Sequence, residues 1–345
     1  MFRDTFAGLG PKGGPTLADI LFEVVTQFGN ETSSKELSAA VKPKGRYAGR
    51  ATGADRAPRK EKVIEVPDAL VGDKVFVRPN GADYHAREWG MHSDVMALRK
   101  AREATVKCVV ENIGSPMFVL AYGAPGCGKT ALVEAAFGSE VVTLMGTGDT
   151  EVADLMGGYV QTPGGGFEWV DGGLVKAAEE GLVYFIDEIG LIDPKVLSVV
   201  YGLMDGRREL VITANPERGV VKAHPNFFVV AATNPNAPGV RLSEALLSRF
   251  TVQVELTTDW NLARKLGVSS TLVTAAQNLA KKVASGEVGW APQMRELLAF
   301  RDVAKVYGED WAIANLVAAS PELDRPVVVD VLTRAFGREA KAAKI

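Results

Sequence analysis

The chain has 345 residues and a mass of 36.8 kDa, with 47% hydrophobic and 23% charged side chains, a mix that supports a sizeable core and excludes a mini-protein, a fibrous protein and a wholly disordered one. That length exceeds one typical domain, so a main core with smaller attachments is expected. The 39 basic and 42 acidic side chains leave a formal charge of −3, too near neutral to point by itself to nucleic acid or a membrane surface.

Two cysteines, Cys108 and Cys127, do not amount to a disulfide framework or a zinc site and suit a reducing compartment. The opening residues lack an apolar stretch ending in a small-residue cleavage site. No run approaches the roughly 18 apolar residues of a membrane span. A cytoplasmic location with no membrane contact is expected.

In chain order, residues 15–29 predict an amphipathic helix within an N-terminal segment, 1–41. Thr16 and Asp19 are its expected capping pair, and Leu17, Ile20, Leu21, Val24, Val25 and Phe28 recur at helical spacing. Residues 42–62 carry eight basic and two acidic side chains, a local +6 that leaves −9 for the remainder. They read as a flexible linker, with contact to nucleic acid or an acidic partner as the less favoured alternative. Residues 63–90 alternate apolar runs with turn signals at Val71-Gly72-Asp73 and Pro79-Asn80-Gly81, predicting a small β element.

The main domain is placed at 91–258 and opens on a helix over 93–113, capped by Ser93. Five β-type runs follow, at 117–122, 141–145, 182–187, 227–233 and 251–256, alternating with helical segments. That alternation predicts an α/β fold with a five-stranded, mostly parallel sheet covered by helices on both faces. From 259 to 345 the β signal stops. Helical patterns at 270–284, 292–308, 310–319 and 325–337 predict a separate α-helical domain.

The strongest chemical signal is Gly123-Ala124-Pro125-Gly126-Cys127-Gly128-Lys129-Thr130, which satisfies G-x-x-x-x-G-K-[ST] between an apolar strand and a helix read over 130–138. Such a loop turns backbone N–H groups toward a polyphosphate at a helix N-terminus, and glycines allow the close approach. Residues 123–131 are therefore the candidate ATP-binding residues. Lys129 is assigned to the β and γ phosphates, and the Thr130 hydroxyl to Mg²⁺. Cys127 fills a variable position of the motif.

The second signal is the strand over 182–187, which ends in adjacent carboxylates, Asp187 and Glu188. Two neighbouring acids at a strand end suit different tasks: Asp187 holds Mg²⁺ through its water shell, and Glu188 orients and deprotonates the attacking water. His85, His92 and Cys108 match no metal-ligand spacing and are assigned ordinary surface or packing roles.

These motifs, with the stretches named next, resemble the AAA+ ATPases, and within them the MoxR-like and cobaltochelatase CobS-like group with its dynein-related relatives. The resemblance covers about residues 91–340. It implies a P-loop NTPase core with a C-terminal helical lid. It also implies that Asn234, after the strand over 227–233, is the sensor 1 residue, and that Arg249 in Glu244–Phe250 is the arginine finger reaching a neighbouring subunit, with Arg241 as its competitor. Arg295, at the start of a lid helix, matches sensor 2. Residues 154–181 are similar to the helix-2 insert of the group and 206–228 to its hairpin before sensor 1. In the family both face a central pore, which makes Tyr159, Phe167 and Trp169 candidates for gripping a client, with local packing as the alternative.

The resemblance further implies Mg²⁺ and ATP as cofactors, a ring homo-oligomer, most often a hexamer, and a protein client, with a von Willebrand factor A type protein as one partner class. The expected activity is ATP hydrolysis coupled to remodelling of a protein partner. An ATP-gated nucleic-acid scaffold and a metal-chelatase motor subunit are the alternative readings.

Overall fold

The computed structural model describes residues 75–86, 88–89 and 92–342. The expected helix over 15–29 and the basic stretch 42–62 lie outside the described residues, as does the first turn signal of the β element. The described residues fall into two compact units. One holds the chain to Ala121, then Ala131–Thr233 and Pro238–Val254; the other holds Tyr122–Thr130, Asn234–Ala237 and the chain from Glu255 onward.

The described part of the first unit opens on a hairpin, β1 (Val75–Val77) and β2 (Asp83–His85), paired antiparallel around Pro79-Asn80-Gly81, with Gly81 at φ 79° closing the turn. The two-residue strands β3 (Glu88–Trp89) and β4 (His92–Ser93) pair next, and α1 (Asp94–Glu111) follows. Helix α1 is tied down by buried hydrogen bonds. Thr105 Oγ1 donates to Met117 O at 2.8 Å and accepts the Met117 N–H at 3.0 Å, which fixes the entry to the first sheet strand.

The central sheet contains β5 (Val119–Tyr122), β6 (Val141–Met145), β9 (Val183–Asp187), β12 (Phe228–Thr233) and β13 (Val252–Glu255). Its order is β13-β5-β12-β9-β6, and the sheet is parallel. Strand β9 pairs Val183 with Val141 on one side and with Phe228 on the other. Every residue of β5, β9 and β12 is buried, as expected of inner parallel strands covered on both faces; β6 and β13, at the edges, are mixed. Phe118, Phe137 and Phe228 pack ring against ring at about 6 Å beside them. The order puts β5, the earliest strand, between the two latest, so the loop leaving its carboxyl end lies where the strand order reverses, the usual ligand position in such sheets.

Connections supply the remaining elements. Helix α2 (Lys129–Phe137) joins β5 to β6. Helix α3 (Val152–Met156) leads into a hairpin of β7 (Gly157–Gln161) and β8 (Phe167–Asp171), and α4 (Gly173–Glu180) returns to β9. After β9 come the short helices α5 (Pro194–Leu197) and α6 (Tyr201–Met204), then β10 (Glu209–Val211) with β11 (Val220–Lys222), the second of the two hairpins inserted between sheet strands, β7–β8 being the first. Helix α7 (Glu244–Leu247), capped by the Ser243 hydroxyl, precedes β13.

The second hairpin is pinned to its surroundings by arginines. Arg208, at φ 54°, donates through Nη2 to His224 O and Phe227 O and lies over the Phe227 ring; burial pushes its pKa down to about 10. Arg218 makes paired hydrogen bonds of 3.0–3.2 Å to the Asp171 carboxylate and one of 2.7 Å to Glu179, so it clasps the second hairpin to the first and to α4. Burial alone raises the Asp171 pKa, but hydrogen bonds from Arg218 and Trp169 and the Arg218 charge outweigh it and hold the carboxyl below the usual aspartate range. With the folded value depressed, the clasp contributes fully above about pH 4 and is lost as pH falls through the folded value. An NMR titration of the Asp171 carboxyl should show that low midpoint, and Arg218→Ala should move it upward; an unmoved midpoint would contradict the clasp.

The second unit is helical beyond β13: α8 (Trp260–Lys265), α9 (Ser270–Ala284), α10 (Met294–Tyr307), α11 (Glu309–Ala319) and α12 (Arg325–Phe336). Leu272, Leu279, Leu297, Phe300, Leu316 and Leu332 form its core, drawn from four of these helices at helical spacing. Side-chain caps start two of them: Asp259 accepts from the N–H groups of Asn261 and Leu262, and Ser269 from that of Leu272. Among the described residues no helix is long and apolar enough to cross a membrane.

Candidate active site

The phosphate-type loop runs from the end of β5 into α2. Gly123, Gly126 and Gly128 have φ of 153°, 79° and 100°, values that L side chains rarely adopt. Packing adds a second constraint at two of them. A Cβ on Gly123 would stand 2.2 Å from Leu256 O, and one on Gly126 2.9 Å from the Arg295 Cβ. Gly123→Ala is therefore expected to strain the loop against backbone, at a cost of about 1–3 kcal/mol or more, measured by denaturant unfolding; wild-type stability would contradict this packing.

Lys129 is 6% exposed, and its Nζ donates to Gly123 O at 2.8 Å and Ala124 O at 3.0 Å. The ammonium is thus folded onto the loop that carries it. Cys127 is 2% exposed with its Sγ 3.9 Å from Lys129 Nζ, so this variable position of the motif packs inward.

The start of α10 is docked on the same loop. Arg295 donates its backbone N–H to Gly126 O at 3.3 Å. A capping box between Gln293 and Glu296 fixes the helix start, and Thr258 Oγ1 holds it from the β13 side by donating to Gln293 Oε1 at 2.8 Å and accepting the Met294 N–H. The Arg295 side chain is exposed and has no hydrogen bond or ion pair among the described residues. Its position at the loop came from resemblance; the docking hydrogen bond was not legible in the sequence.

In the first unit, β9 delivers Asp187 and Glu188 to the carboxyl edge of the sheet. Asp187 is buried. Glu188 has φ 51°, a left-handed conformation costing about 1–3 kcal/mol for a residue with a Cβ. Its N–H donates to Asp187 Oδ1 at 3.0 Å, and Gly146, at the end of β6, donates its own N–H to Asp187 O at 2.8 Å. No side chain fits at Gly146, where a Cβ would stand 2.7 Å from Glu188 O. The acid pair is therefore held in a strained turn by backbone contacts, a feature that residue types alone do not reveal.

Strand β12 ends at Thr233, whose Oγ1 is buried with no hydrogen-bond partner, beside Gly190 just after the acid pair. The one mark of this hydroxyl in the sequence is a polar residue closing an otherwise apolar strand. Asn234 follows, nearly buried, its Oδ1 accepting the Asn236 N–H at 3.2 Å. Arg249, after α7, lies over the Tyr201 ring, while Arg241 is exposed and, among the described residues, is tied in by its backbone N–H to Gly190 O at 2.7 Å.

The first hairpin presents Tyr159 at 55% and Phe167 at 70% exposure. Trp169 differs from them. Its ring meets Tyr159 edge-on at 5.3 Å and its Nε1 donates to Asp171 at 2.8 Å, so it is a packing residue of the hairpin.

The donor chemistry fits a nucleotide with a hard cation. The loop offers a glycine-rich backbone cradle with a buried ammonium; Thr130 on the loop and, in the other unit, Asp187 each carry an oxygen of the kind that Mg²⁺ prefers. Among the described residues no group of three or more His, Cys, Asp or Glu could hold a metal by itself.

Residues 118–250 match the family described as AAA domain (dynein-related subfamily). The chain is also 35% identical over 153 residues to midasin of Dictyostelium discoideum, an alignment covering 41% of this chain and 2% of midasin. It is 37% identical over 145 residues to an uncharacterised protein of Staphylococcus aureus, and 36% identical over 143 residues to one of Staphylococcus haemolyticus. Both alignments cover 39% of this chain, which spans about half the length of these staphylococcal relatives, at 53%. The matched region and the sheet order are consistent with an AAA+ P-loop fold.

Proposed function

We propose that this chain is a Mg·ATP-dependent ATPase of the MoxR-like or CobS-like kind that assembles into a cytoplasmic ring, most simply a hexamer, and remodels a protein partner. The observation that carries the reading is the phosphate loop, with three glycines in conformations suited to glycine and a buried lysine held against the loop's own carbonyls. A polyphosphate offers Lys129 stronger acceptors than Gly123 O and Ala124 O, so binding exchanges internal hydrogen bonds for charge-assisted ones.

The remaining residues take the following roles. The loop N–H groups from Gly123 to Ala131 bind the phosphates at the start of α2. Thr130 and Asp187 hold Mg²⁺, which when bound neutralises phosphate charge. Glu188 accepts a proton from the attacking water, and Asn234 orients that water. Arg295 places a cation at the loop from the helical unit. Arg249, supplied by a neighbouring copy, faces the charge that develops on the transferred phosphoryl, a contribution worth about 10³–10⁵ in turnover. Tyr159 and Phe167, exposed on the first hairpin, are the surfaces assigned to a client, with a von Willebrand factor A type protein as one candidate.

The test combines steady-state phosphate release with sedimentation velocity on the full chain. Turnover is expected to rise with protein concentration as the chain assembles in ATP. A persistent monomer with full turnover would defeat the ring reading, and no turnover under any assembled condition would defeat the ATPase reading.

A further inference from the structure

Two contacts hold Arg249. Its guanidinium lies over the Tyr201 ring, with Cζ 4.1 Å from the centroid. Its Nη1 donates to Ala245 O at 2.5 Å, and its Nε is buried without a partner. Nη2 makes no hydrogen bond among the described residues and is not among the buried atoms, so one arm of the fork remains open.

The ring beneath is fixed in turn. Tyr201 Oη lies 3.1 Å from Ser243 Oγ, and Ser243 Oγ accepts the Leu246 N–H at the start of α7. Tyr201 therefore bridges α6 to the N-terminal end of the helix whose other end leads to Arg249. An unrestrained arginine must give up substantial rotamer freedom to reach a ligand; a restrained one has lost it beforehand. Donors fixed before the reaction also need no reorganisation during it. Arg241, by contrast, has no side-chain partner among the described residues.

We propose that Tyr201 is a positioning residue for Arg249, holding its guanidinium flat with Nη2 free to meet the polyphosphate bound by a second copy of this chain. The proposal rests on the reading of Arg249 as a trans-acting arginine. Tyr201 touches no substrate; its ring sets the plane of a group that does.

The experiment uses the full chain with Tyr201→Leu, Tyr201→Phe, Arg249→Ala, Arg241→Ala and the double variant Tyr201→Leu/Arg249→Ala. It measures kcat for ATP, ATP affinity and assembly by sedimentation velocity. Tyr201→Leu should lower kcat about 10- to 100-fold, the scale of a misplaced catalytic group, with affinity and assembly kept. Tyr201→Phe, which restores the ring, should recover most of that loss, and adding Tyr201→Leu to Arg249→Ala should cost nothing further.

Wild-type kcat in Tyr201→Leu, or an equal further loss on top of Arg249→Ala, would overturn the proposal; Tyr201→Met, longer and more adaptable in packing, repeats the test if Leu impairs folding. Dependence on Arg241 in place of Arg249 would remove the trans-arginine assignment and the proposal together. Dependence on Arg249 alongside an indifferent Tyr201 would remove the proposal alone.

Discussion

Glu188→Gln is expected to bind ATP as the wild type does and to hydrolyse it about 10²–10⁴ times more slowly. The substitution keeps shape and hydrogen-bonding reach but removes the group that takes the proton from water. Glu188 sits at φ 51°, and glutamine carries the same Cβ into that conformation, so the strain of the turn is unchanged and the fold should tolerate the exchange. Isothermal titration with ATP, beside phosphate release under the same conditions, separates the two effects. Turnover at the wild-type rate would show that another group serves as the base, and weakened binding would show that Glu188 supports the nucleotide directly.

Lys129→Ala should act on the other half of the cycle. Loss of a desolvated ammonium facing phosphate costs about 2–5 kcal/mol of binding, or roughly 30-fold to several thousand-fold in affinity. The apo protein should suffer as well. Gly123 O and Ala124 O each accept a hydrogen bond from Nζ, and stripping that donor from a buried loop costs about 1–3 kcal/mol of stability. Two changes are therefore expected in a thermal melt: a lower Tm without nucleotide, and disappearance of the upward shift that saturating ATP gives the wild type. An ATP-induced shift of wild-type size in Lys129→Ala would contradict the placement of the phosphates.

How much of this could be read from the chain depended on whether the signal was local. Strands β5, β9 and β12 stood out because inner parallel strands are continuous apolar runs, and all three are buried at every residue. Helix α9 was legible to the residue, since its apolar positions recur at helical spacing over 270–284. The phosphate loop was legible because its motif is dense in glycine for a backbone reason.

Contacts between distant residues left no such mark. The docking of the Arg295 N–H on Gly126 O, the Arg218 clasp and the seating of Arg249 on Tyr201 join residues 39 or more apart in sequence. The positive φ of Glu188 was equally silent, because a left-handed glutamate is imposed by the turn around Gly146 and carries no preference of its own. Trp169 shows the reverse case: an aromatic that resemblance offered for client contact is engaged by Tyr159 and Asp171.

The most direct measurement of the central claim is the turnover of an equimolar mixture of Lys129→Ala and Arg249→Ala chains, each inactive alone. A Lys129→Ala copy cannot bind ATP well but still carries Arg249, and an Arg249→Ala copy binds ATP but lacks the arginine. With sites completed by a neighbour, random mixing should make about a quarter of the interfaces whole and restore about that share of wild-type turnover. A mixture that assembles yet stays as inactive as its two components would contradict the account.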